Sequence, residues 1–420
     1  MQKKFLGVAL ILTLIMSFMP STEAKRFGDD YALEKVLILS RHNIRTPYIE
    51  KANPLSPHKW VKWSAPSRNL TLKGGLLETS LGQYFRKYLV DENFMEENYQ
   101  PAEGEFRFYA NARQRTLATA QYFSSGFLPV ANVKVEYKPP FDKHDYTFNT
   151  KLLSCNDEMR VEAEKQYHEL YGVDDFKNLA SRLSSNLALM EKVLDLKDSP
   201  YARKTGNKTF RSDDTKFIFE KGKQPTFTGS IENAFTAADA LILQYYETGT
   251  AFGRKLTDKQ CLQIAEFNRL STSMVAVPAV AANIAHPLLE VMHDELALDS
   301  RRFTFLCGHD TNISSVLGAL GVEDYTLPDT IEPCTPIGVK FVIEKRRGSD
   351  GKDYAALNLV YMSTKQILNS EQLSLDNPPK IFPLKLKGLQ VNADGLYLFD
   401  DVMNRFADAL AQDYSARQAA

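Results

Sequence analysis

Short runs of β-branched, leucine and aromatic residues alternate along this chain with longer stretches whose apolar positions recur at helical spacing. The first internal run is Lys35-Val36-Leu37-Ile38-Leu39, the pattern of a buried strand. Two more, Phe106-Arg107-Phe108-Tyr109-Ala110 and Phe303-Thr304-Phe305-Leu306-Cys307, lead into helical stretches that reach Tyr122 and run from Ile313 to Leu320. Strands that alternate with helices in this way predict an α/β architecture, with a mostly parallel central sheet flanked by helices. The segments Ile337–Glu344 and Tyr354–Met362 alternate like strands, and Arg346-Arg347-Gly348-Ser349-Asp350-Gly351 between them predicts a hairpin.

The pattern changes between 138 and 235. That stretch is rich in charge, has helical patches at Met159–Leu170 and Phe176–Leu196, and contains the turn-forming Lys204-Thr205-Gly206-Asn207-Lys208. It predicts a mostly helical insertion, a smaller cap domain that divides the α/β catalytic domain into 30–137 and 236–415. At the start, Lys3 and Lys4 precede an apolar run from Phe5 to Met19 and then Thr22-Glu23-Ala24, the layout of a cleaved signal over 1–24. A periplasmic or secreted protein is therefore expected. The run falls short of the roughly 20 residues of a membrane span, and no later run approaches that length, so stable membrane association is not expected.

Charge narrows the partners. The 51 Lys and Arg nearly balance 52 Asp and Glu, which gives no global case for nucleic acid and requires any anion site to be local. Four cysteines, Cys155, Cys261, Cys307 and Cys334, are an even number in a compartment where disulfides persist. Three pairings are open, and a buried free thiol is the alternative for Cys307. No CxxC spacing supports a structural zinc site, and no metal or cofactor is expected.

In each of the three strand runs, polar and ionisable residues sit where the strand ends, the side on which open α/β sheets bind ligands. Arg41-His42-Asn43-Ile44-Arg45 sets an imidazole between two guanidiniums. Arginine matches phosphate oxygens bidentately, and a neutral imidazole nitrogen between two such groups can attack phosphorus. His309-Asp310 adds a phosphate hydrogen-bond donor and a proton source for a departing alkoxide. Arg113 and Arg115 compete for the place of a third cation, and periodicity does not choose between them. The ordinary alternatives are a charged surface loop for the first segment and a helix cap for Asp310.

These segments together resemble the histidine acid phosphatase family. Arg41-His42-Asn43-Ile44-Arg45-Thr46-Pro47 is similar to its Arg-His-Gly-x-Arg-x-Pro signature, with Asn43 in the usual glycine position; His309-Asp310 resembles its distal His-Asp pair, and Arg115-Thr116 its Arg-Thr pair. Arg-His-Asn, Asn53-Pro54 and Thr335-Pro336-Ile337-Gly338 are similar to the bacterial periplasmic glucose-1-phosphatase branch. The resemblance implies an α/β domain with a smaller α domain, a phosphohistidine intermediate and no metal. It implies His42 as nucleophile, Asp310 as general acid, and Arg41, Arg45, Arg115 and His309 as phosphate ligands, with the Asn43 side chain added at the site mouth. The expected substrate is a small phosphate monoester, glucose 1-phosphate or another sugar phosphate ahead of phytate. Lys204, Lys208, Arg211, Lys216, Lys221 and Lys223 would favour phytate if they ringed the pocket. A sugar-phosphate binding protein without turnover is the rival outside enzymology. His144 is a candidate for the pocket rim, and Trp60 and Trp63 for its side.

Overall fold

The computed structural model describes residues 27–143 and 145–411; the expected signal at 1–24 and His144 lie outside them. Among the described residues ten strands are present: β1 (Tyr31–Arg41), β2 (Phe106–Ala110), β3 (Val135–Glu136), β4 (Lys216–Ile218), β5 (Thr226–Thr228), β6 (Phe303–Gly308), β7 (Lys340–Gly348), β8 (Asp353–Tyr361), β9 (Lys380–Pro383) and β10 (Tyr397–Leu398). Eight of them form one sheet in the order β10-β8-β7-β1-β6-β2-β3, with β9 also on β8.

The α/β architecture agrees with the pattern of the sequence, but the sheet is mixed rather than mostly parallel. β1, β6, β2 and β3 run parallel, whereas β7 lies antiparallel to β1 and β8 antiparallel to β7. For β8 the reason is local. A short turn joins β7 to β8, and a hairpin can only be antiparallel. Arg346 and Arg347 belong to β7 and not to the turn; Arg346 is fully buried, held by Glu92 at 2.7 Å and Glu344 at 2.8 Å.

The apolar run in β1 is unbroken because both faces of the sheet are covered. Val36 and Ile38 join Phe108, Phe303 and Phe305 in one hydrophobic cluster, while Leu37 and Leu39 join Leu306, Phe341 and Leu359 in the other. Between 138 and 235 lie the helices Asp157–Tyr171, Ser184–Leu194 and Pro200–Thr205 and the small β4–β5 hairpin. Tyr167 and Tyr171 tie this layer to the body, donating to Met274 O at 2.8 Å and Leu270 O at 3.0 Å.

The expectation of disulfides is corrected: all four cysteines are unpaired. Cys307 is fully buried within β6, and Cys261 fully buried in the helix Asp258–Ser273. Cys155 faces the carbonyl of Phe219, and Cys334 lines a cavity with Arg269. Each thiol thus sits among partners of its own.

Candidate active site

Sheet register brings the three strand-end segments together. Arg41 pairs with Gly308, and Ala110 with Cys307, so β1, β6 and β2 end side by side. His42 N donates to Gly308 O at 3.1 Å, Asn111 N to Cys307 O at 2.9 Å and Arg41 N to Val339 O at 2.9 Å. Beyond these bonds the strands stop, and their next side chains share one space.

His42 is buried, with Nδ1 2.8 Å from Asn43 O. A carbonyl oxygen only accepts, so Nδ1 carries the proton and Nε2 keeps its lone pair. Burial, then Arg115, His309, Arg45 and Arg41, hold this imidazole well below the usual histidine range. Its surroundings favour the neutral ring. His309 stands edge-on to it at a ring distance of 5.4 Å.

His309 opens the helix Asp310–Ala319. Its Nε2 lies 2.8 Å from Asn111 Nδ2 and its Nδ1 3.4 Å from Arg115 Nη2. Asp310 accepts from Arg41 Nη2 at 3.1 Å and, through its other oxygen, from Thr311 N at 2.8 Å. Arg41 is buried and also bridges Glu332 at 3.0 Å and bonds the carbonyl of Thr335. Nη2 of Arg45 donates to both carboxylate oxygens of Asp239, at 2.9 and 3.1 Å.

The geometry separates the two competing arginines. Arg113 turns away to Asp142 at 2.9 Å, while Arg115 turns toward His309. Burial and the neighbouring cations, Arg45 foremost, push the Arg115 guanidinium down to about 9. Nε of Arg41 and Nε of Arg115 are buried without an acceptor among the described residues. Crowded cations with unused donors suit an anion whose oxygens take up those N–H groups.

Asn43 departs from the expectation of a side chain at the site mouth. It is buried and turned inward: Nδ2 donates to Glu78 Oε1 at 2.8 Å, and Oδ1 accepts from Ile44 N at 2.8 Å. Glu78 pairs in turn with Lys340 at 2.9 Å, both fully buried. Gly338, at φ 69°, makes room; a Cβ there would stand 2.5 Å from Asn43 Nδ2. An amide can enter this interior because an acceptor is waiting for it.

Sequence reading missed Glu332, Asp239 and Asn111. Asp239 left one signal, a lone carboxylate inside the apolar helical run Ala237-Ala238-Asp239-Ala240-Leu241. Glu332 sits in an aperiodic loop and left none. Trp60 and Trp63 line a cleft with Thr46 and His58, and Trp60 packs on Phe252 at 4.8 Å. His58 is bound to Asp195 at 2.5 Å and His168 packs on Phe176.

Residues 32–355 match the model of the histidine phosphatase superfamily, branch 2. The chain is 32% identical to a glucose-1-phosphatase of Salmonella typhimurium, covering 97% of this chain and 100% of that one. It is 31% identical to a glucose-1-phosphatase of Providencia rettgeri, with 98% and 100% covered. Among solved structures, the apo form of Hafnia alvei phytase shares the fold at a TM-score of 0.81 and 22% identity, over 91% of this chain and 98% of that one. The convergence of the strand-end segments and the match across most of the chain lead to one conclusion: this chain belongs to the histidine phosphatase superfamily, branch 2, and is a phosphatase of small phosphate monoesters.

Proposed function

We propose that the chain hydrolyses sugar phosphates, glucose 1-phosphate among them, in two displacements at His42. In the first, Nε2 of neutral His42 attacks phosphorus, the bond from phosphorus to the sugar oxygen breaks, and Asp310 hands its proton to that oxygen. In the second, Asp310 takes a proton from water as the water oxygen attacks the phosphohistidine, and inorganic phosphate leaves with His42 restored. Arg41, Arg45 and Arg115, with His309, hold the phosphoryl oxygens and offset their charge in the transition state.

The observation that carries this reading is the Nδ1 contact of His42 to Asn43 O at 2.8 Å, which leaves Nε2 as the free nucleophile among three arginines. The sugar preference rests on the two glucose-1-phosphatase relatives. Among the six insertion cations that would favour phytate, Arg211 is committed to Asp213 and Lys223 to Glu220. Export rests on the pattern of residues 1–24 alone.

Alkaline quenching of the wild type with labelled substrate tests the proposal. A base-stable, acid-labile phosphoenzyme is expected, and His42→Ala should lack both it and turnover. Substantial turnover by His42→Ala would remove His42 from the role. Phosphate release from glucose 1-phosphate, glucose 6-phosphate and phytate then ranks the substrates.

A further inference from the structure

Next to Arg115 stands an arginine that the reaction above does not use. The cavity that reaches Arg115 is lined by Ser67, Arg68, Asn69, Gln114, Phe141 and Asp142. Arg68 has φ 69° and Asp142 φ 62°, both in the left-handed region that side chains other than glycine seldom occupy. Backbone strain of this kind persists where the surroundings over-determine it, and it clusters at binding sites.

Arg68 is fixed firmly. Its N–H donates to Thr46 O at 3.0 Å, and Thr46 N donates to Asn69 O at 2.9 Å, so its backbone is clasped to the nucleophile loop. Its guanidinium lies over the Tyr48 ring, 4.7 Å from the centroid, and donates to the Tyr48 hydroxyl at 2.8 Å. Among the described residues it forms no ion pair with a carboxylate. Asp142, the one acid in the lining, is taken by Arg113 at 2.9 Å. The cavity therefore presents two guanidiniums, Arg68 and Arg115, and the acid in its lining is already paired with Arg113. Phe141, 51% exposed, adds an apolar plate on the same wall.

We propose that this cavity is a second anion subsite, in which Arg68 binds a further phosphate on the leaving sugar while the sugar ring lies against Phe141. The preferred substrates are then hexose bisphosphates rather than monophosphates. This rests on the proposed reaction at His42, in which Arg115, shared with the cavity lining, holds the transferred phosphoryl group. The planar guanidinium suits the second phosphate because it can meet two oxygens at once, and its stacking on Tyr48 sets its orientation beforehand.

The readout is the ratio of kcat/KM for glucose 1,6-bisphosphate to that for glucose 1-phosphate. At low salt the wild-type ratio should exceed about ten and should shrink as sodium chloride screens the second contact. Arg68→Gly removes the guanidinium and relaxes the left-handed backbone, and it should lower the ratio roughly tenfold, whereas Arg68→Lys should keep part of it. A wild-type ratio at or below one overturns the proposal without any variant, as does a ratio unchanged in Arg68→Gly. Turnover of an aryl phosphate, which has no second anion, separates this failure from failure of the phosphatase reaction itself.

Discussion

At the scale of single residues, the neutral imidazole of His42 has consequences for both activity and stability. Below about 6.5 the unfolded chain takes up a proton at this position, while folded His42, held down by burial and its cationic neighbours, does not. The unfolded state therefore gains as pH falls through that value, and the folded state loses stability by up to about 1.4 kcal/mol per pH unit from this group. Above it the group makes no difference. His42→Gln should accordingly flatten the decline in melting temperature between pH 7 and pH 5, measured by calorimetry, and an unchanged decline would show that His42 titrates normally. In the same window the wild-type kcat/KM should not fall with titration of His42, the proposed nucleophile, because its surroundings hold the imidazole below the usual range. Asp310 has a separate signature. A sugar alkoxide needs a proton as it leaves and a nitrophenolate scarcely does, so Asp310→Asn should lower kcat/KM for a sugar phosphate by roughly 10² to 10⁴. With nitrophenyl phosphate the loss should be far smaller, and equal losses would make Asp310 a binding group. The residues of these tests were legible in the sequence because imidazole, carboxylate and guanidinium stood at strand ends. Their carboxylate partners were not, since Glu332 and Asp239 come from segments distant in the chain and meet Arg41 and Arg45 only through folding.

At the scale of elements, the loop that carries His42 rests on the start of the helix Leu72–Asp91. Thr71 caps this helix, accepting from Gly74 N at 3.1 Å, and its own N–H donates to Ile44 O at 2.9 Å. The loop and the helix touch at Gly74, where a Cβ would collide with the carbonyl oxygen of Ile44 and stand 2.9 Å from its nitrogen. Backbone cannot give way as a flexible side chain can. Gly74→Ala should cost roughly 1–3 kcal/mol of stability, read by urea denaturation, from overpacking. It should also lower kcat by ten-fold or more, because His42 is two residues from Ile44 and its aim is set by this seat. Normal kcat in a destabilised variant would show that the seat serves folding alone. The strands β1, β2, β6, β7 and β8 followed from the apolar runs, and the strand-end placement of the site followed with them, whereas the helices Leu72–Asp91, Asp258–Ser273 and Pro278–Ala297 were not read from the sequence. The inward turn of Asn43 did not, because it depends on the Glu78–Lys340 pair and on the left-handed Gly338, which are contributed by two other segments.

At the scale of the molecule, opposite charges almost cancel, and Arg41, Arg45 and Arg115 gather around His42. Arginines there supply the positive charge that a two-metal phosphatase takes from its ions, so activity should survive excess chelator. Loss on chelation with recovery on adding a divalent cation would overturn that expectation. The mixed sheet shows where sequence reasoning reaches its limit: the hairpin between β7 and β8 was legible as a local signal, but its attachment beside β1 was not. That attachment also governs when the enzyme can exist. β1 is made near the start of synthesis, yet both of its neighbours, β6 and β7, lie in the last third of the chain. Closing so long a loop is entropically slow, and until it closes His42 has no Gly308 carbonyl to anchor it and no His309 beside it. Catalytic competence is thus a late event in the life of each molecule, reached only after nearly all of the polypeptide has emerged and collapsed. On the proposed mechanism, a nascent or truncated chain that stops short of Phe303 would carry His42 yet should be inert toward phosphate esters.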